Sequence, residues 1–119
     1  MSATPRVRRV RFYHNENGKR IAREEFLGLS EDGQAALGEL FTRFENGLDR
    51  PAEVQPASDG LIEFRTRVAN NQYRAYAFKD GPRYVIIVLC VQKKQKKMTN
   101  ADKDLAISRM RSWRARGVS

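Results

Sequence analysis

The chain has 119 residues, enough for one domain around one core, and its 40 % hydrophobic content predicts a folded rather than a disordered protein. Its 23 lysines and arginines outnumber its 14 acidic residues, and the resulting net charge of +9 favours a polyanionic partner. The longest mostly apolar run, residues 84–91, is far shorter than the ~20 residues of a membrane span, so we expect a soluble, cytoplasmic domain without a signal peptide.

The first half of the chain predicts one strand and two helices. Apolar residues among arginines indicate a strand over residues 7–13, and apolar spacing indicates a short helix over 19–29. Ser30 is a suitable N-cap for a second helix, which Gly47 ends. Residues 48–60, with two prolines, are predicted to form a loop.

The second half predicts three consecutive antiparallel strands and a last helix. Alternating patterns over 61–68 and 73–78 indicate two strands joined by a hairpin turn at Asn70 and Asn71. The apolar run at 84–91 indicates a central strand, and a helix capped by Thr99 follows over about 100–116. The order β-α-α-β-β-β-α defines an α+β class, with a small antiparallel sheet in one domain that spans residues 1–119.

The net charge is confined to one part of the sequence. Residues 1–49 contain eight basic and eight acidic side chains, whereas residues 50–119 contain fifteen basic and six acidic ones. The second part therefore carries the whole excess, as expected for a surface that binds nucleic-acid phosphates. A generally basic, solvated surface is the alternative.

Few residues suit conventional catalysis. The single histidine, His14, is more simply a structural or surface residue, and Cys90 lies in the most apolar strand as a buried core thiol. One cysteine excludes an intrachain disulfide and fits a reducing compartment. No phosphate loop and no motif-spaced carboxylate pair is found, so we expect neither a metal nor another cofactor.

The arginines of the predicted hairpin are the better candidates. Arg65 and Arg67 are two residues apart on one strand and therefore share a face. A turn formed by Asn70 and Asn71 places Arg67 opposite Arg74, and Arg65 opposite Tyr76. Grouped guanidinium and ammonium groups bind an RNA backbone and stabilise the phosphorane formed when a 2′-hydroxyl attacks the adjacent phosphate. An exposed strand face without a ligand is the alternative interpretation.

Three aromatic residues accompany these arginines. Tyr73 follows the apolar alternation and is predicted to lie in the core, while Trp113 lies on the apolar stripe of the last helix and is predicted to pack on the sheet. Tyr76 shares the face of Arg74 and is the candidate for stacking on an RNA base.

Short motifs in a fixed order resemble the RelE/ParE toxin superfamily, in particular its phage-derived, HigB-like branch. They are LIEFR at 61–65, QYRAY at 72–76, KKQKK at 93–97 and DLAISR at 104–109. The resemblance implies a type II toxin–antitoxin toxin, a metal-independent endoribonuclease that cleaves mRNA on the ribosome. It also implies a cognate antitoxin, often a helix-turn-helix protein, as partner.

The resemblance also implies roles for individual residues. Arg74 is expected to bind the transition-state phosphate, and Arg65 and Lys94 to contact the substrate backbone or transfer protons. The tail at 113–119 lacks the tyrosine or histidine that many family members place there, so the general acid is not identified. The further RNA contacts are expected from Arg67, Tyr76, Lys93, Lys96 and Lys97.

Two other functions stay open at this point. A gyrase inhibitor of the related ParE type would induce DNA damage and leave mRNA intact. A non-catalytic nucleic-acid-binding module would be non-toxic and would bind RNA in a salt-dependent way. The sequence specifies neither the cleavage preference nor the oligomeric state, and the charge-neutral helices of the first half are a candidate antitoxin surface.

Overall fold

The computed structural model describes residues 8–93 and 98–117, with the backbone alone at Lys93. One turn of 3-10 helix at Ser58–Gly60 accompanies the longer elements. These elements are β1 (Arg9–Phe12), α1 (Ile21–Leu27), α2 (Glu31–Glu45), β2 (Val54–Pro56), β3 (Ile62–Val68), β4 (Asn71–Asp80), β5 (Tyr84–Lys93) and α3 (Asn100–Ala115).

The strands form one five-stranded sheet in the order β1-β5-β4-β3-β2. The α+β class and the antiparallel β3-β4-β5 meander are confirmed. The sheet is mixed rather than wholly antiparallel, because β1 pairs with β5 in parallel. Short hairpin turns impose opposite directions on neighbouring strands, whereas β1 is separated from β5 by both N-terminal helices and three strands, which leaves either direction open.

The predicted loop at 48–60 contains the short edge strand β2, which pairs with β3. Three residues ending in Pro56 are too few to show an alternating pattern, so this strand was not predictable from the sequence. Proline is tolerated there because an edge strand has one side free of ladder hydrogen bonds.

Helices cover both faces of the sheet. Helix α2 places Phe41 and Phe44 against Phe64 of β3, with ring centroids 5.2 and 4.9 Å apart. Helix α3 covers the opposite face, which we call the α3 face, with Met110 and Trp113 in its core. Within the described residues, no helix is long and apolar enough to cross a membrane.

Several local predictions are confirmed. The Ser30 side chain accepts a hydrogen bond from the Gly33 amide, and the Thr99 side chain accepts one from the Asp102 amide. Tyr73 and Trp113 are buried, and the Trp113 indole donates to Asp80 Oδ2 at 3.0 Å. Cys90 is also buried, and loss of solvation raises the pKa of its thiol, which keeps it protonated and unreactive.

The hairpin between β3 and β4 differs from the prediction by one residue in its turn. Val68 pairs with Asn71, so Ala69 and Asn70 form the turn, and Ala69 has a positive φ of 53°. The pairing shifts by two residues, which places Arg65 opposite Arg74. An even shift leaves every side chain on its predicted face.

A half-buried ion pair between Arg43 and Glu53 holds the segment before β3 in place. Arg43 of α2 donates from Nη1 and Nη2 to the two carboxylate oxygens of Glu53, at 2.5 and 2.7 Å. The Glu53 carboxylate also accepts a hydrogen bond from the backbone amide of Arg50. The backbone carbonyl of Glu53 accepts one from the backbone amide of Arg65 at 2.8 Å. The hydrogen bond from Arg43 lowers the pKa of Glu53 to about 2.

Replacing Glu53 by glutamine is expected to lower the free energy of unfolding by about 1–2 kcal/mol near neutral pH. Because the folded-state pKa of Glu53 is below its ordinary value of 4.5, its contribution is full above that value and is lost as the pH falls toward about 2. Urea denaturation at several pH values should therefore show the two proteins converging in acid. Glu39→Gln is the control, since Glu39 contacts the same arginine at 3.8 Å but is 73 % exposed.

Candidate arginine site on the β3–β4 hairpin

Three of the predicted site residues share the α3 face of the hairpin. Arg65 lies directly opposite Arg74, and Arg67 lies opposite Gln72. This places two arginines side by side, an arrangement that costs free energy unless an anion lies between them. The required anion is Glu63, which occupies the same face of β3 two residues before Arg65.

Arg74 is completely buried. Its Nη2 donates to Gln72 Oε1 at 2.9 Å, and its Nη1 lies 3.5 Å from Glu63 Oε2. Its Nε is buried and has no hydrogen-bond partner among the described residues. Arg74 thus keeps one oriented, unsatisfied donor, while its other nitrogens fix the neighbouring side chains.

Glu63 is the site residue that the sequence prediction missed. Its carboxylate contacts both arginines, with Oε1 3.9 Å from Arg65 Nε and Oε2 3.5 Å from Arg74 Nη1. Its position in the sequence could have revealed it, because Glu63 is two residues from Arg65 in an alternating strand and therefore shares its face. Partial burial strengthens these contacts because few water molecules screen them.

Arg65 and Arg67 are the more accessible arginines of the hairpin. The Arg65 side chain is 37 % exposed, and the Arg67 Nε donates to the Ala69 carbonyl at 2.8 Å. Both line a shallow cleft of about 370 Å³ that Ala52, Thr66 and Gln72 complete. A ligand approaching this end of the sheet therefore meets Arg65 before it meets Arg74.

Tyr76 does not have the exposure that stacking requires. Tyr76 is 0 % exposed. Desolvation raises the pKa of its phenol to about 12, although the neighbouring Arg74 cation acts to lower it. We therefore correct the expectation of an exposed Tyr76 ring. The alternation that assigned its face was right, but α3 covers the part of that face where it lies.

Of the predicted lysines, Lys93 lies within the described residues, at the end of β5. Lys93 pairs through its backbone with Gln72, directly beside the arginine pair. Lys94, Lys96 and Lys97 lie outside the described residues. Their predicted roles accordingly stay predictions.

The other chemical candidates have structural roles. The His14 ring packs edge-on against Trp113, with centroids 5.0 Å apart. Across residues 8–93 and 98–117, no group of three or more histidine, cysteine or acidic residues is placed to hold a metal ion. The arrangement that the hairpin offers is one of fixed cations around a carboxylate, which suits binding and charge stabilisation at a phosphate.

A mixed five-stranded sheet with three helices is consistent with a small RelE-like fold. The family model described as "Phage derived protein Gp49-like" matches residues 24–111, and the chain belongs to this family, a RelE/HigB-type toxin family. Membership in a toxin–antitoxin family implies a cognate antitoxin as partner.

Curated relatives agree with this assignment. The chain is 25 % identical over 103 residues to "Probable endoribonuclease HigB1" of Mycobacterium tuberculosis, in strain CDC 1551 / Oshkosh and in strain ATCC 25618 / H37Rv. The alignment covers 87 % of this chain and 82 % of each relative.

Proposed function

We propose that this toxin is a metal-independent endoribonuclease that cleaves mRNA on the ribosome. The observation that carries the proposal is the Arg65–Glu63–Arg74 cluster on the β3–β4 hairpin, with Lys93 in register beside it. The relatives are named "Probable endoribonuclease HigB1", which supports the same chemistry.

In the proposed reaction, a ribose 2′-hydroxyl attacks the adjacent phosphate and the 5′-oxygen leaves. Negative charge accumulates on the non-bridging oxygens of the phosphorane, where fixed guanidinium groups stabilise it. Arg65, the exposed member of the pair, is proposed to contact this phosphate. The buried Arg74 is proposed to orient Glu63 and to add its positive charge to the site. An arginine is a poor proton acceptor because its pKa is above ~12, so Lys94 is proposed to accept the proton of the 2′-hydroxyl and to return it to the leaving 5′-oxygen.

Arg65→Ala tests the proposal. We expect mRNA cleavage to fall by about a hundredfold, the usual effect of removing one charge-stabilising donor, while the fold is retained because Arg65 is partly exposed. The measurement is primer extension of mRNA 5′ ends after induction, with thermal melting of the purified protein. Arg111→Ala on the exposed side of α3 removes the same charge away from the hairpin and should cleave normally.

Two outcomes contradict the proposal. Normal cleavage by Arg65→Ala would exclude Arg65 as the residue that stabilises the transition-state phosphate. Growth arrest by the unaltered protein with intact mRNA and DNA damage would instead indicate the gyrase-inhibiting activity of the ParE type.

A further inference from the structure

A second cationic surface lies at the other end of the sheet, in the half of the chain whose net charge is zero. A cleft of about 520 Å³ opens between β1, the following turn and the start of α1. We call it the arginine cleft. Its lining residues are Arg11, Phe12, His14, Gly18, Arg20 and Arg23.

No acidic side chain lines this cleft among the described residues. Several carboxylates of the first half are engaged elsewhere. Glu25 pairs with Arg109 of α3 at 2.9 Å, Glu45 accepts from the Val10 amide at 2.9 Å, and Asp49 pairs with Arg8 at 3.3 Å. The folded chain thus separates charges that cancel along the sequence, and three arginines face one concavity without a counterion.

The cleft combines one fixed arginine with two free ones. Arg11 stacks over the Tyr84 ring, 4.4 Å from its centroid, and its Nη2 lies 3.5 Å from the tyrosine hydroxyl. Arg20 and Arg23 are exposed and form no ion pair with any other described residue. Unpaired guanidiniums in a concave site raise the local positive potential and favour a phosphate-bearing ligand.

The position of the cleft relative to the hairpin favours RNA. Arg11 is in register with Ile86, and Arg74 is in register with Val91 five residues further along β5. At ~3.3 Å per residue, the two positions are about 17 Å apart along the strand, a distance that a few nucleotides span. Arg11 shares the face of Ile86, which belongs to the α3-face core, whereas Phe12 pairs with Ile87 of the opposite-face core, so the cleft lies at the β1 edge of the sheet.

We propose that the arginine cleft binds RNA backbone phosphates outside the position of cleavage, as a docking site separate from the β3–β4 hairpin. The proposal rests on the proposed function, because RNA is taken as the ligand of both surfaces. It assigns the cleft a binding role and no part in the chemical step.

The test measures RNA binding, and every protein compared carries Arg65→Ala, which is expected to suppress cleavage during the titration. The probe is a fluorescent single-stranded RNA of about twelve nucleotides, titrated at several salt concentrations. Adding Arg20→Gln and Arg23→Gln is expected to raise the Kd about tenfold and to reduce the slope of log K against log salt by about 1.4, at ~0.7 per phosphate contact. The control pair, Arg50→Gln and Arg111→Gln, removes equal charge outside the cleft and should change the slope little.

Three results would overturn the proposal. The cleft pair of substitutions could leave the Kd for RNA and the salt slope unchanged, or the cleft pair and the control pair could change them equally. The cleft pair could also leave RNA binding unchanged and weaken the complex with the antitoxin. The last would make the cleft a protein-docking surface. The proposed function is tested separately by the cleavage assay with Arg65 intact. A protein that binds RNA through the cleft but never cleaves it would retain this inference and lose the proposed function.

Discussion

Replacing Arg74 by alanine is expected to lower the free energy of unfolding by about 3–5 kcal/mol and to abolish toxicity. The large side chain is completely buried, so its removal leaves a cavity as well as a partly buried Glu63 without its closest cation. Urea denaturation measures the loss of stability, and growth after induction measures the loss of toxicity. Because both effects arise together, alanine alone does not separate folding from function.

A double variant separates them. Arg74→Met combined with Glu63→Gln removes both charges while keeping most of the volume, and such neutral replacements of buried pairs are often tolerated. We expect this protein to recover about 2 kcal/mol or more of the lost stability and to remain non-toxic. A folded double variant with full toxicity would show that Arg74 and Glu63 have a structural role only and that cleavage does not require them.

Gly33→Ala is expected to destabilise the protein by about 1–3 kcal/mol, although alanine favours helices. A Cβ at Gly33 would overlap the Tyr73 ring, lying 2.9 Å from Cζ and closer still to two other ring carbons. The ring has no room to move, since Tyr73 is buried and its hydroxyl is 2.6 Å from Ser30 Oγ, the cap of α2. Thermal and urea denaturation should both show the loss.

Gly38→Ala in the same helix is the matched control. A Cβ there meets only Phe26 Cζ at 3.7 Å, an ordinary contact, so the substitution should stabilise the protein by up to about 1 kcal/mol. Opposite signs for the two glycines would attribute the first effect to the Tyr73 contact. Equal stabilisation at both positions would contradict the packing described for α2 on β4.

Local features of the fold were predictable because short-range chemistry determines them. The alternating residues of β3 and β4 assigned Arg65, Arg67 and Arg74 to one face, and the structure agrees. The caps Ser30 and Thr99 were found because a side-chain oxygen can satisfy free amides at a helix start wherever the helix packs. The family motifs likewise depend only on residue order.

Features that depend on distant contacts were not predictable. Glu63 was overlooked since its importance comes from the Arg65–Arg74 pairing, and a turn shifted by one residue changed that pairing by two positions. The burial of Tyr76 depends on where α3 crosses the sheet, and alternation within one strand contains no information about that. The β2 edge strand was missed for a similar reason, because its pairing with β3 defines it more than its composition does.

The net charge of +9 illustrates the same division. The sequence by itself determined a basic α+β toxin domain, the strand face of its arginines and their resemblance to a toxin family. Only the tertiary structure decided which charges meet. The fold pairs Arg74 with Glu63 on the hairpin. It also separates Arg11, Arg20 and Arg23 from the acidic residues that cancel their charge in the sum over residues 1–49. The physical reason is that Coulomb interactions depend on distance in space and on burial, whereas a sum along the chain contains neither.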